Sequence, residues 1–221
     1  MSKMKRRFIL LLLLCIAHMG GYAKITLPGY FADNMVLQQQ TKVLISGQSS
    51  GKGFVELRVG WDKKVYKADI GIGGEWSIEV ETPKAGGPYD IVLSDGEECF
   101  LHNVLIGEVW LCSGQSNMEM PLAGWGKVMN YEKEIAEADY PYIRLFQVKK
   151  ETSLTPRMNL ASTMGGWKEC SPTVIPNFSA VGYFFARNLW RELGVPIGVI
   201  DCTWGGTPAE GWESYDAMKK I

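Results

Sequence analysis

Gly107-Glu-Val-Trp-Leu-Cys-Ser-Gly-Gln-Ser-Asn-Met118 is the stretch on which the fold turns. With Val104-Leu105-Ile106 before it, residues 104–112 form a nearly unbroken apolar run that stops at Ser-Gly-Gln-Ser-Asn. Such a run reads as a strand buried on both faces, the mark of a parallel sheet. In open α/β sheets, ligands and reacting groups gather at the carboxyl ends of strands. Ser116 stands just past that end, and Gly114 allows a turn that lifts its hydroxyl clear of the sheet. The backbone N–H groups after it are placed to face an oxyanion. The spacing differs from the Gly-x-Ser-x-Gly elbow, because Met118 occupies the second glycine position. On spacing alone, a turn serine and a nucleophile both fit.

Downstream, strand and helix signals alternate. Val128–Ala138 predicts a short helix ending before Pro141, and Tyr142–Val148 a strand. Residues 149–177 read as loop. Phe178–Leu193 predicts a helix capped by Ser179 and stopped by Gly194 and Pro196. Its apolar stripe is Val181, Phe184, Phe185, Leu189, Trp190 and Leu193. Pro196–Cys202 is an apolar strand leading into Trp204-Gly205-Gly206-Thr207, and a further helix begins at 213–221. This alternation is α/β architecture, with helices covering a parallel sheet. Three strands and a helix just starting leave faces that should be covered, so residues 104–221 read as part of an α/β domain.

Upstream, residues 24–103 carry strand signals about ten residues apart with glycine-rich turns, the pattern of a small antiparallel β-sandwich. Phe54–Val59 alternates, with Val55, Leu57 and Val59 on one face. Lys42–Gly47 is another strand. Gly71–Gly74 predicts a hairpin turn between Val65–Ile70 and Trp76–Val80. Ala85-Gly86-Gly87-Pro88 interrupts the chain before Tyr89–Leu93.

The 221 residues are 46% hydrophobic with a net charge of −1, enough for a core and without a basic stripe, which excludes nucleic acid as a partner class. Residues 1–23 read as a secretory signal peptide: Lys3, Lys5, Arg6 and Arg7 precede an apolar run too short to span a membrane, and Ala23 ends a small-residue cleavage site. The protein is therefore expected to be secreted or periplasmic, without stable membrane insertion after cleavage. Leu-Leu-Leu before Cys15 fits a lipoprotein signal poorly. Cys99, Cys112, Cys170 and Cys202 remain; their spacing suits no zinc site, and lone buried thiols are the preferred reading. Cys112 and Cys202 each end a strand and are the pair expected to lie closest.

Several stretches together carry a resemblance. Gly107–Met118 is similar to the first block of the sialate O-acetylesterase family, a branch of the SGNH hydrolases. Phe31-Ala-Asp-Asn-Met-Val-Leu-Gln38 resembles that family's opening motif, and Gly73-Gly-Glu-Trp76 and Ala85–Tyr89 resemble turns of its β domain. Phe178–Ala186 resembles the helix before its second block, and Trp204-Gly-Gly-Thr-Pro-Ala-Glu-Gly-Trp212 that block itself. The resemblance implies a flavodoxin-like SGNH domain, represented by its N-terminal part, behind the β-sandwich. It implies a serine esterase acting on O-acetylated glycans or sialic acid, with no cofactor or metal. Ser116 would be the nucleophile, and a glycine of Gly205-Gly206 would offer an oxyanion N–H, Gly205 by preference.

The family's Asp-x-x-His block and its Gly-Glu-x-Asn-like block are not found. His18 lies in the signal segment, and His102 reads as a structural or surface residue. The expectation is that these residues are the N-terminal part of a longer enzyme. The competing reading, from another class, is a non-catalytic carbohydrate-binding or accessory protein; a lipase-type α/β-hydrolase is a weaker third. Glu119 and Glu210 flank the two blocks, where helix capping or solvation is the simplest role. Trp110, Trp125, Trp167, Trp204 and Trp212 are candidate sugar-stacking residues, core packing being the plainer reading for most.

Overall fold

The computed structural model describes residues 24–220 except 154, 156 and 158. The signal-peptide reading, with Cys15 and His18, lies outside the described residues. The chain is mixed α/β and mostly sheet. Strands β1 (Ile25–Thr26), β3 (Lys42–Ser49) and β6 (Glu75–Glu81) form an antiparallel three-stranded sheet in the order β1-β3-β6. A larger sheet takes in β2 (Val36–Gln38), β4 (Phe54–Val59), β5 (Val65–Asp69), β7 (Gly86–Ser94), β8 (Glu98–Gly114), β9 (Tyr140–Gln147), β10 (Lys168–Cys170) and β11 (Ile197–Thr203). Its order is β10-β9-β11-β8-β7-β4-β5, with β2 beside β8.

The alternation read in Phe54–Val59 is realised: Val55, Leu57 and Val59 are buried. They meet Ile45, Ile78 and Val80 of the smaller sheet in one core. The hairpin expected at Gly71–Gly74 does not form. The turn is there, closed by the Gly74 N–H donating to the Gly71 carbonyl at 2.9 Å. It carries the chain from β5, paired with β4, to β6, paired with β3. Glycines fix where the chain turns; which edge the next strand joins is set by the apolar faces each sheet must bury.

β8 spans 17 residues and serves both halves of the molecule. Its first part pairs antiparallel with β7, and residues 108–114 pair parallel with β11. The change of pattern read at 103/104 thus falls inside a continuous strand. Parallel pairing of β8 with β11 and of β11 with β9 matches the α/β expectation. Burial on both faces holds only to Gly107: Trp110 is 43% and Leu111 65% exposed.

One face of the parallel strands is covered by helix α3 (Ala180–Leu193), following α1 (Ser116–Glu119) and α2 (Tyr131–Ala136) in the chain. Cys112, Ile143, Leu145, Ile197 and Val199 pack there against Tyr183 and Ala186. The fully buried side of α3 is Ala180, Gly182, Tyr183 and Ala186, while Phe184, Leu189 and Trp190 of the expected stripe are partly buried against the same core. Val181 and Leu193 are half exposed. Ala180, Gly182 and Ala186 let the helix approach the strands around the buried Tyr183 ring, and Phe185 leans edge-on against Trp110 at 5.0 Å between ring centroids. Helices covering the parallel sheet were expected, and α3 does so on this face. Among the described residues the second face is instead covered by Phe146 packed on Trp167, in the same core as the first half. A final short helix, α4 (Tyr215–Met218), is exposed.

Candidate active site

The carboxyl ends of β8, β9 and β11 converge. Gly114, with φ +139°, ends β8 in a backbone conformation that side chains rarely adopt, and the chain turns directly into α1. Ser116 is the first residue of that helix and is exposed. The first N–H groups of a helix have no partner within it. Here the Gln115 carbonyl takes the Met118 and Glu119 N–H groups, at 3.0 and 2.9 Å, while those of Ser116 and Asn117 find no acceptor among the described residues. Two free amides beside a free hydroxyl are the elements an acyl-transfer site needs.

The start of α3 holds α1 in place. The Ser179 hydroxyl accepts from the Gly182 N–H at 3.0 Å, the cap read from the sequence, and donates to the Met118 carbonyl at 2.5 Å. The Ala180 N–H donates to the Met120 carbonyl at 2.9 Å, and the Leu122 N–H to the Phe178 carbonyl at 3.0 Å. Ser179 is fully buried.

The turn after β11 comes against α1. The Trp204 N–H donates to the Gly114 carbonyl at 2.9 Å. A Cβ placed on Gly205 would lie 3.4 Å from the Ser116 Cα and 2.8 Å from a Glu119 carboxylate oxygen. Gly205 is thus the glycine that touches Ser116. Gly206 has open space around it and φ +80°, so it serves the turn. The Gly205 N–H donates to Glu119 Oε2, while Lys150 Nζ donates to Oε1. Glu119 therefore neither caps a helix nor stands in solvent as expected. Burial pushes its carboxyl up, but the Lys150 and Gly205 bonds outweigh this and leave its pKa below the usual carboxylate value. Glu210 is exposed and stands apart from this contact.

Beneath lies Asp201, fully buried on β11. It accepts from Thr203 Oγ1 at 2.6 Å and from Gln147 Nε2 at 3.0 Å. Burial raises its pKa, the two bonds pull it back in part, and the Glu119 charge adds to the rise. Neither Glu119 nor Asp201 was singled out for this role by sequence reasoning. Spacing put Glu119 one helical turn from Ser116, but its partner amide lies 86 residues away.

His102 is excluded as a base: roughly 40 Å of strand separates it from Gly114 at about 3.3 Å per residue. Its Nδ1 lies 3.2 Å from Asp90 Oδ1, and its ring stacks on Phe100. Cys112 and Cys202 sit on neighbouring strands, where Cys112 is level with Asp201 and Cys202 with Ser113. They consequently point to opposite faces, and all four described cysteines are free thiols. Burial, helped by Asp201, raises the pKa of both. Of the candidate stacking residues, Trp167 is core, with Nε1 donating to the Tyr30 carbonyl. Trp204 and Trp212 line a cavity of about 540 Å³ beside the β11 turn, together with Lys149, Lys150 and Arg157. Trp125 is 67% exposed. Among the described residues no helix is long and apolar enough to cross a membrane, and no cluster of His, Cys, Asp and Glu could hold a metal ion.

Known proteins are similar to this region and to most of the rest of the chain. A family profile described as "Carbohydrate esterase, sialic acid-specific acetylesterase" matches residues 106–220. The chain is 32% identical over 231 aligned residues to a sialate O-acetylesterase of Rattus norvegicus, covering 95% of this chain and 42% of the rat protein. It is 30% identical over 207 residues to the sialate O-acetylesterase of Homo sapiens, covering 86% of this chain and 39% of the human protein. Its fold is similar to the crystal structure of a carbohydrate acetylesterase from Xanthomonas citri, with TM-score 0.82 and 35% identity over 89% of this chain and 44% of that one. The chain thus spans less than half the length of these relatives.

Proposed function

Since the chain belongs to the sialic acid-specific acetylesterase family of carbohydrate esterases, we propose that it is the nucleophile-bearing part of a serine esterase that removes acetyl groups from O-acetylated sialic acids or other glycans. The observation that carries this reading is the contact of Gly205 with Ser116 beside the unengaged Ser116 and Asn117 amides. Ser116 Oγ attacks the acetyl carbonyl carbon and passes its proton to a base. The tetrahedral oxyanion is held by the unengaged Ser116 and Asn117 N–H groups, since the N–H of Gly205, the second-block donor that the resemblance implies, is bonded to Glu119. Collapse expels the sugar oxygen, which takes the proton, and water then releases acetate from the acyl-enzyme.

The base is a histidine supplied with its orienting carboxylate from beyond residue 221, completing an SGNH domain of which residues 104–221 are the first part. Two facts support this: His102 stands far from Ser116, and the chain covers 42% of the rat relative. Residues 24–103 form a small supporting sandwich, and a signal peptide at 1–23 directs the enzyme to the periplasm or outside the cell.

The test is hydrolysis of 4-nitrophenyl acetate by the protein expressed from its complete reading frame. Ser116→Ala is expected to lower kcat/KM by at least about 10³-fold, the scale set by loss of a serine nucleophile. Equal rates would remove Ser116 from the mechanism. The lack of a base near Ser116 among the described residues favours a second reading, a glycan-binding protein without turnover. Glycan binding by the complete protein with no Ser116-dependent hydrolysis would establish it.

A further inference from the structure

Glu119 is where three chain segments meet. It ends the helix that follows β8. One oxygen takes the Gly205 N–H of the turn after β11, and the other takes Lys150, three residues past β9. A single carboxylate therefore ties together the chain leaving each of the three parallel strands, at the point where Gly205 meets Ser116. Its side chain is 15% exposed and that of Lys150 41%.

This placement has an electrostatic consequence. Attack on an ester creates negative charge on the oxyanion that the ground state lacks. A lone carboxylate one helical turn from the nucleophile would oppose that charge, and the more strongly for being partly buried. Lys150 cancels it. We propose that Glu119 is the positioning residue of this site, holding the β11 turn against Ser116, and that Lys150 is its required counter-charge. The proposal rests on the esterase reading above. With its amide committed to Glu119, Gly205 acts through its lack of a side chain.

The two parts of the proposal separate in a double-mutant cycle on the complete reading frame, with 4-nitrophenyl acetate as substrate and kcat and KM measured apart. Lys150→Met leaves Glu119 uncompensated beside the forming oxyanion; kcat falls about tenfold while KM stays within about twofold, as for a partly exposed charge. Glu119→Gln keeps an oxygen for the Gly205 N–H and loses the charge; kcat falls by roughly threefold, the effect of a weakened neutral bond. The decisive variant is Glu119→Gln/Lys150→Met. It is expected to turn over faster than Lys150→Met alone, because the unpaired charge is gone. A structural link with no charge role would make the double variant no faster than the single. An unchanged kcat in Lys150→Met, or a double variant no faster than it, overturns the proposal while Ser116→Ala, still inactive, leaves the esterase reading standing. A Ser116→Ala protein as active as wild type, or an inactive wild type, overturns both. Lys150 is exposed enough that its substitution leaves the fold intact, so the comparison does not depend on Glu119→Gln folding well.

Discussion

Two adjacent glycines do different work, and the difference is measurable. Gly205 has an ordinary backbone and no room: a methyl group there displaces the Glu119 carboxylate 2.8 Å away and presses on Ser116. Gly206 has room but φ +80°. Gly205→Ala is therefore expected to lower kcat/KM at least about tenfold with under about 1 kcal/mol lost in stability, since a flexible side chain can yield. Gly206→Ala should do the reverse, destabilising the fold by about 1 kcal/mol through its left-handed backbone while leaving Ser116 untouched. Kinetics and urea denaturation of the two variants check this pair. The position of Ser116 just past a strand was legible because an apolar run ending in Ser-Gly-Gln-Ser marks a strand end. The sequence preferred Gly205 to Gly206 but could not say how either meets Ser116, because order along the chain does not say which backbone atom approaches a neighbour. Glu119 was misread for the same reason: its helical spacing is local, and its partners are on other strands.

At the scale of elements, Ser179 joins two of them. Its oxygen caps α3 through the Gly182 N–H, and its proton reaches the Met118 carbonyl on the Ser116 helix. Ser179→Ala should destabilise the protein by about 1–2 kcal/mol, the value of a cap with a buried acceptor left unpaired. A denaturation midpoint unchanged from wild type would refute the double role. The helix itself was legible, with its cap and its Gly194 stop. Its buried face was legible only in part: apolar residues lie nearly all round it, and the sheet took Ala180, Gly182, Tyr183 and Ala186 deepest while leaving Val181 and Leu193 half exposed. The Gly71–Gly74 turn was legible as a turn but not as a passage between sheets, since pairing partners are chosen by cores that only the assembled layers define.

For the molecule as a whole, Asp201 links acidity to stability. Its folded pKa is raised above the value near 3.9 of an unfolded aspartate, chiefly by burial. The folded state then prefers the protonated form, so stability is highest below the unfolded pKa and falls as pH rises through the folded one. Asp201→Asn removes this loss. Its Tm should match that of wild type at pH 3 and exceed it increasingly as pH rises through the folded pKa, with a constant gap above it. A gap independent of pH would show that Asp201 does not titrate in this way. The α/β alternation and antiparallel first half were readable from the period of the apolar residues. Their union on one strand was not, because the composition changes at 103/104 while the backbone pairing continues.

That union bears on how such a protein could have been assembled over evolutionary time. A seam in a linker allows a gene segment to be lost, duplicated or lent to another protein with little harm. Here the seam lies within β8, whose residues 98–106 bond to β7 and whose residues 108–114 bond to β11. Severing the gene there would leave one partner without its edge and the other without the strand that presents Ser116. The two halves are thus expected to be inherited together, and chimeras that exchange one for a relative's counterpart should fold only when the crossover spares all of residues 98–114.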